Sequence, residues 1–466
     1  MTEPANFLGV LVGTTLLVLS GCVSQDIGYA EVQSVVEART GHRTRWNHVD
    51  TSEEGDALLR QLLSRPLSAD RAAQIALLNT PEAQIAFEEL GWNRADLVES
   101  FHLPNPSAEA SLRFGEATPE IDLALMLDLT DLILLPWRKR AAEVLLEAAQ
   151  ARVVGQLLDV VYGAQRAFFE YQAAERRVRM RRALVQAAGA AMTLAEGLRA
   201  AGNIPELSLM VEKARYDEAR LELARAEAAE TAAKERLNQH LGLWGHGTHW
   251  RAEALGEPGE APENVADVEL RALKASLDLE LVKRDYEALA RRANLATVEG
   301  VLPELKAGVS AERQDNEWGV GPAIELELPI FYQGQGEVAR AEAEMRRARG
   351  RHAGLALRVR SAVRTAARNL VVLRDSALHY KEQLLPARER IVEETQLLYN
   401  AMSVGAFELF QAKRDQVHTE SAYVDVLEDY WIARAELDQL LAGRLIDVDP
   451  LARDSGPLPA VTSDAH

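Results

Sequence analysis

Ile121-Asp122-Leu123-Ala124-Leu125-Met126-Leu127-Asp128-Leu129 decides how the rest of the chain must be read. Its odd positions are all aliphatic and its even ones are Asp, Ala, Met and Asp, so an extended strand here has two unlike faces. Three other segments alternate in the same way. In 107–114, Ala108, Ala110, Leu112 and Phe114 oppose Glu109, Ser111 and Arg113. Leu305, Ala307, Val309 and Ala311 oppose Glu304, Lys306, Gly308, Ser310 and Glu312. Val320, Pro322, Ile324, Leu326 and Leu328 oppose Glu325 and Glu327.

Each run is roughly 8–11 residues, about what a tilted membrane strand needs. A lipid-facing charge at mid-depth costs about 2–4 kcal/mol for a basic residue and less for an acid. Sorting every charge onto one face therefore fits a barrel wall with a wet lumen, although a soluble sandwich with one solvated face would alternate likewise. Four strands cannot close around a water-filled lumen, and open edges are excluded from lipid. A barrel requires strands shared between subunits, and three copies would supply twelve.

Outward from the strands the chain turns helical. No proline falls between Pro136 and Pro205, or between Pro329 and Pro386. Leu158, Val161, Phe168, Tyr171, Val178 and Val185 are spaced by threes and sevens, a coiled-coil-like face. A helix over 139–200 would run roughly 90 Å and would need partners along its whole length. It breaks at Ala201-Gly202-Asn203-Ile204-Pro205, and a second long helix breaks at Met402-Ser403-Val404-Gly405-Ala406. Both read as tips of helical hairpins. Pro386 should kink or interrupt the second helix.

The two breaks belong to a duplication. A shift of 200 residues superimposes Leu198, Ala201, Leu209, Lys213, Ala233, Leu237 and Gln239 on Leu398, Ala401, Leu409, Lys413, Ala433, Leu437 and Gln439. The expected organisation is a first repeat over 22–242 with its strands in 106–133, and a linker over 243–265. A second repeat over 266–445 follows, with strands in 302–331, and a flexible tail over 446–466.

The apolar run 7–19 is too short to span a bilayer as a helix and ends in Leu19-Ser20-Gly21-Cys22. Small residues before a cysteine read as a processed export signal over 1–21. No other stretch approaches the roughly 20 apolar residues of a membrane helix, so any crossing must use strands. Cys22 is the only cysteine, which excludes an intrachain disulfide and a cysteine-based zinc site. A net charge of −19 argues against nucleic acid as a partner, because phosphate binding needs a basic face. No HExxH, GxSxG or P-loop is present, and Gly334-Gln335-Gly336 is too short for a nucleotide fingerprint. His240, His246 and His249 cluster between the repeats, but the run 242–250 is Gly-rich and lacks nearby acids, so a surface loop is the reading and not a metal centre. No catalytic residue, metal or cofactor is expected.

The order of these parts is similar to the TolC-like outer-membrane factor family over nearly the whole chain. The residues that carry the resemblance are Asn79-Thr80-Pro81-Glu82 in an early helix, Pro104-Asn105-Pro106 opening the first strand, and Leu328-Pro329-Ile330-Phe331 with Gly334 and Gly336 closing the last. The two tips complete it. Asp131-Leu-Ile-Leu-Leu-Pro136-Trp137-Arg138 departs from a polar glycine turn that the family often has there.

The resemblance implies a mainly α fold with membrane β: a trimeric twelve-stranded barrel continued by a long α-helical barrel, with an internal two-fold repeat. It implies an outer-membrane channel subunit that passively conducts substrates from an inner-membrane pump and a periplasmic adaptor to the exterior. Cys22 would carry a lipid, and Val23-Ser24 after it suggests the outer membrane. Gly202, Asn203, Ile204, Val404, Gly405, Ala406 and Glu408 would form the adaptor-docking and gating tips. Glu109, Asp122, Asp128, Glu304, Glu312, Glu325 and Glu327, against Arg113 and Lys306, would line an acidic pore. The resemblance does not by itself carry an acidic ring beyond the second tip to this chain, since Gln411 and Arg414 hold the comparable positions, with Glu408 and Asp415 nearby. The competing reading is a lipid-anchored periplasmic coiled-coil scaffold that never spans the membrane.

Overall fold

The computed structural model describes residues 28–46, 53–102, 104–114, 119–259, 264–314, 317–328, 330–331 and 333–446. The signal over 1–21, Cys22 and the tail beyond Ile446 lie outside the described residues. Two compact units emerge. One is built around Glu88–Gln150 and Glu287–Met345, the other around Val32–Phe87, Ala151–Tyr286 and the chain from Arg346 onward.

The first unit holds the sheet. Strands β1 (Ser107–Arg113), β2 (Glu120–Asp128), β3 (Glu304–Gln314) and β4 (Glu317–Glu327) pair antiparallel in the order β1-β2-β3-β4. The two hairpins come from opposite halves of the sequence and join along β2–β3, where Leu125 faces Val309. β1 and β4 are left as edges. Gly308 is required at this join, because a Cβ on it would lie 1.9 Å from the Leu125 carbonyl oxygen.

The strand regions expected over 106–133 and 302–331 are trimmed. Leu129 to Ile133 are helical, because Asp128 caps a new helix by accepting the Asp131 N–H at 3.1 Å. Thr130 ties that helix to β3, donating to the Pro303 carbonyl at 3.1 Å and accepting from the Leu305 N–H at 2.6 Å. At the other end β4 stops at Glu327.

The helices that lead to and from the strands are long. In chain order they are α1 (Tyr29–Thr40), α2 (Glu53–Leu63), α3 (Ala69–Asn79), α4 (Pro81–Phe101), α5 (Leu129–Ala200), α6 (Glu206–Leu241), α7 (Val265–Ala275), α8 (Leu277–Val301), α9 (Gln335–His379), α10 (Leu385–Asn400) and α11 (Ala406–Leu441). α5 starts ten residues before the expected 139 and takes Pro136 into its interior, giving a helix of 72 residues. Asn79-Thr80-Pro81-Glu82 is a joint between two helices and not the interior of one. Pro81 forces Thr80 into an extended conformation, with ψ 141°. The Thr80 hydroxyl accepts the Ala83 N–H at 3.3 Å, and Ser276 does the same for Leu279 at 3.2 Å in the second half.

The duplication is sharper in the elements than in the residues. α6 and α11 are both 36 residues long and are offset by 200. The halves differ at Pro386, where a five-residue π-turn, Tyr380–Leu384, separates α9 from α10. Pro386 has no N–H and its ring crowds the carbonyl four residues back, so the preceding turn widens.

The second unit has its own cores. Val359, Val363, Ala366, Ala367 and Leu370 of α9 pack with Val268 and Ala272 of α7 and with Tyr430, Leu437 and Leu440 of α11. Leu184, Ala188 and Ala191 of α5 pack with Ala219, Phe410 and Val417. The segment between the halves is pinned to several helices. Gln172 donates to the Glu253 carbonyl at 2.6 Å, Trp431 to Gly256 at 3.0 Å and Arg374 to Gly259 at 3.1 Å.

Candidate functional site

The strand register sets every side chain of the sheet on one of two faces. Ala108, Leu125, Val309 and Pro322 form one cross-strand row, Ala110, Leu123, Ala311 and Val320 the next, and Leu127, Ala307 and Ile324 another. This face is exposed in the isolated chain, with Leu125 at 55%, Val320 at 72% and Ile324 at 74%. Leucines and valines in that quantity demand an apolar neighbour.

The opposite face gathers the charges. Asp128, Lys306 and Glu325 share a row, Glu304 faces Glu327, and Asp122 faces Ser111 and Glu312. Glu109 lies in the row of Ala124, Ser310 and Gly321. Both bases there are held by acids: Arg113 by Asp122 at 2.8 Å, and Lys306 by Glu304 at 3.1 Å and Glu325 at 3.3 Å. The sequence reading omitted Glu120 and Glu317, which the register adds to this face, and Arg313, which falls on the apolar one between Ile121 and Trp318. Extending the alternation by one or two residues at each strand end would have found all three.

The tip residues lie in the second unit. Both tips close with the same bonds: Gly202 N–H to Arg199 and Asn203 N–H to Leu198, Met402 N–H to Tyr399 and Ser403 N–H to Leu398. The left-handed residue is Gly202 in one (φ 76°) and Met402 in the other (φ 61°). Gly405, expected as the turn glycine, is instead the extended N-cap of α11, with φ −85° and ψ 169°. The turn needs its left-handed residue at the end of α10, three positions earlier. An ion pair from Arg199 to Glu206 at 2.8 Å staples the first tip. Tyr399 and Ala406 occupy the same places in the second. Asp415 is tied by Gln411 at 2.9 Å and by Arg388 at 3.8 Å.

Among the described residues, no helix is long and apolar enough to cross a membrane, and no group of three or more His, Cys, Asp or Glu could hold a metal ion. His246 and His249 have ring centroids 6.2 Å apart.

A four-stranded sheet with one apolar and one charged face, formed by β-hairpins from the two halves of the sequence, is a fold shared with known outer-membrane channels. No family model matches. The chain is 25% identical over 384 residues to the cobalt-zinc-cadmium resistance protein CzcC of Cupriavidus metallidurans, covering 81% of this chain and 90% of that one. A membrane protein from Pseudomonas aeruginosa has the same fold, with a TM-score of 0.68 at 18% identity over 84% of this chain and 95% of its own. The CmeC outer membrane channel of Campylobacter jejuni matches with a TM-score of 0.68 at 15% identity, over 80% of this chain and 85% of its own. These likenesses, one in sequence and two in fold, support the resemblance to the TolC-like outer-membrane factor family.

Proposed function

We propose that this chain is the channel subunit of a tripartite efflux system in the bacterial outer membrane, and that it passively conducts cargo delivered by an inner-membrane pump and a periplasmic adaptor. The observation that carries the reading is the sheet: an exposed apolar face, a charged face, and two open edges, β1 and β4. Lipid covers the first, water the second, and only other copies can satisfy the third. Three copies close a twelve-stranded barrel, continued by the long helices as a periplasmic tunnel. The charged face then lines the pore, and the tips from Gly202 to Ile204 and from Val404 to Glu408 gate the tunnel and meet the adaptor. In this scheme 1–21 is a cleaved signal, Cys22 carries the lipid, 22–242 and 266–445 are the two repeats, 243–265 links them and 446–466 is a tail.

On the charged face, nine acids (Glu109, Glu120, Asp122, Asp128, Glu304, Glu312, Glu317, Glu325, Glu327) stand against Arg113 and Lys306. Such a wall disfavours small anions and passes cations. That agrees with the name of the relative CzcC, a cobalt-zinc-cadmium resistance protein.

Detergent extraction followed by sizing tests the assembly. A detergent-dependent trimer is expected, and Leu125→Arg, which puts a charge at mid-sheet on the lipid side, should abolish its membrane insertion. A detergent-independent monomer, or a Leu125→Arg variant that still inserts, would overturn the channel in favour of a scaffold.

A further inference from the structure

Two helices carry stripes that are exposed in the isolated chain, where, among the described residues, Arg340 pairs only with Glu337, one turn away on its own helix, at 2.7 Å. On α4, Ile85, Glu88, Trp92, Asp96 and Glu99 recur at i, i+3, i+7, i+11 and i+14, one helical face. Ile85 is 69% and Trp92 74% exposed, while Ala83, Ala86, Phe87, Leu90 and Leu97 on the other face are buried. On α9, Arg340, Glu344, Arg347, Arg351 and Arg358 recur at i, i+4, i+7, i+11 and i+18, and all are exposed. They open onto a segment, 345–374, with nine arginines and no acid, in a chain of net charge −19.

The sheet says what these stripes face. α4 leads into edge strand β1, and α9 leaves edge strand β4. When β4 of one copy pairs antiparallel with β1 of the next, α9 of the first and α4 of the second extend from the same end of the sheet, side by side and with opposite chain directions. Asp96 lies five residues from the end of α4, and Arg340 five residues from the start of α9. Ile85 and Arg351 are each sixteen residues from those ends. Glu88 falls within one residue of Arg347, and the uncharged Trp92 falls level with Glu344, the one acid of the arginine stripe.

We infer that α4 of one subunit and α9 of its neighbour form a charge-complementary seam, in which Asp96 meets Arg340, Glu88 meets Arg347, and the Arg351 stem covers Ile85. This rests on the trimeric channel and goes beyond it: it fixes which helices meet and in what register. The opposite charge of the two stripes, acidic on α4 and mostly basic on α9, selects a second copy of this chain as the occupant.

Cysteine cross-linking of the full-length protein in membranes decides the matter. The double variant Asp96→Cys, Arg340→Cys should oxidise to a covalent trimer on a non-reducing gel, and wild type should not. Asp96→Cys with Gly350→Cys, roughly 15 Å farther along α9, should give no covalent trimer. The reversals Asp96→Arg and Arg340→Asp should each lose the trimer peak on sizing in detergent, and the double reversal should recover it. A wild-type trimer without the Asp96–Arg340 cross-link, or with an equal cross-link at Gly350, overturns the seam and leaves the channel standing. A wild type that forms no trimer overturns the channel itself and the seam with it.

Discussion

Met402 stands where its sister tip has a glycine. Both tips have the same hydrogen bonds, so the left-handed position is dictated by the turn and not by the residue. A side chain in that region costs roughly 1–2 kcal/mol, and glycine returns part of the gain through its greater freedom when unfolded. Met402→Gly should therefore stabilise the protein by up to about 1 kcal/mol, visible as a raised melting temperature. An unchanged or lowered one would show that the 94% exposed methionine is not strained. Gly202 was legible because glycine announces a left-handed turn. Met402 was not, because propensity points away from it and toward Gly405. The 200-residue shift was the signal that could have found it, by setting Met402 on Gly202. Asp128 is a similar case: it satisfies the strand alternation and caps a helix at once, so its side chain, and not the end of the pattern, ends β2.

Among elements, the alternating strands and the two breaks were readable because periods of 2 and 3.6 leave distinct marks. The clasp on the π-turn was not, since its partners are far apart in sequence. Glu257, in the segment between the halves, accepts from the Tyr423 hydroxyl at 2.7 Å and pairs with Lys381 of the π-turn at 3.3 Å. Arg176 lies 5.4 Å over the Tyr423 ring. Burial alone would raise the Glu257 carboxyl, but the hydrogen bonds from Tyr423 and Lys381 and the nearby cations outweigh it and hold its pKa below 4.5. A carboxyl depressed on folding contributes fully above its unfolded pKa, and that contribution fades as pH falls through the lower folded value. Glu257→Gln should thus melt below wild type at neutral pH by a margin that narrows steadily under pH 4.5. A margin independent of pH would mean that the clasp holds by shape and not by charge.

For the whole molecule, the sequence showed that charge was segregated, and the register showed how it is distributed. Both bases of the polar face are clasped by acids, and among the described residues Glu109, Glu312, Glu317 and Glu327 form no ion pair of 4.0 Å or less. Water screens each of these carboxylates, yet in a closed wall three copies of every row face one lumen, and the low-dielectric wall focuses their field. The purified channel in a planar bilayer between unequal salt concentrations should accordingly show a reversal potential of cationic sign. Glu304 and Glu327 face each other across β3 and β4, as Asp122 and Glu312 do across β2 and β3. Replacing Glu304 and Glu327 with glutamine should move that potential toward zero while leaving trimer yield unchanged. The shift should be larger at low salt, where the Debye length grows from about 10 Å at 0.1 M to about 30 Å at 0.01 M. A wild-type potential near zero at low salt would mean that the acids serve only to wet the inner wall, and that selection among ions lies elsewhere along the conduit.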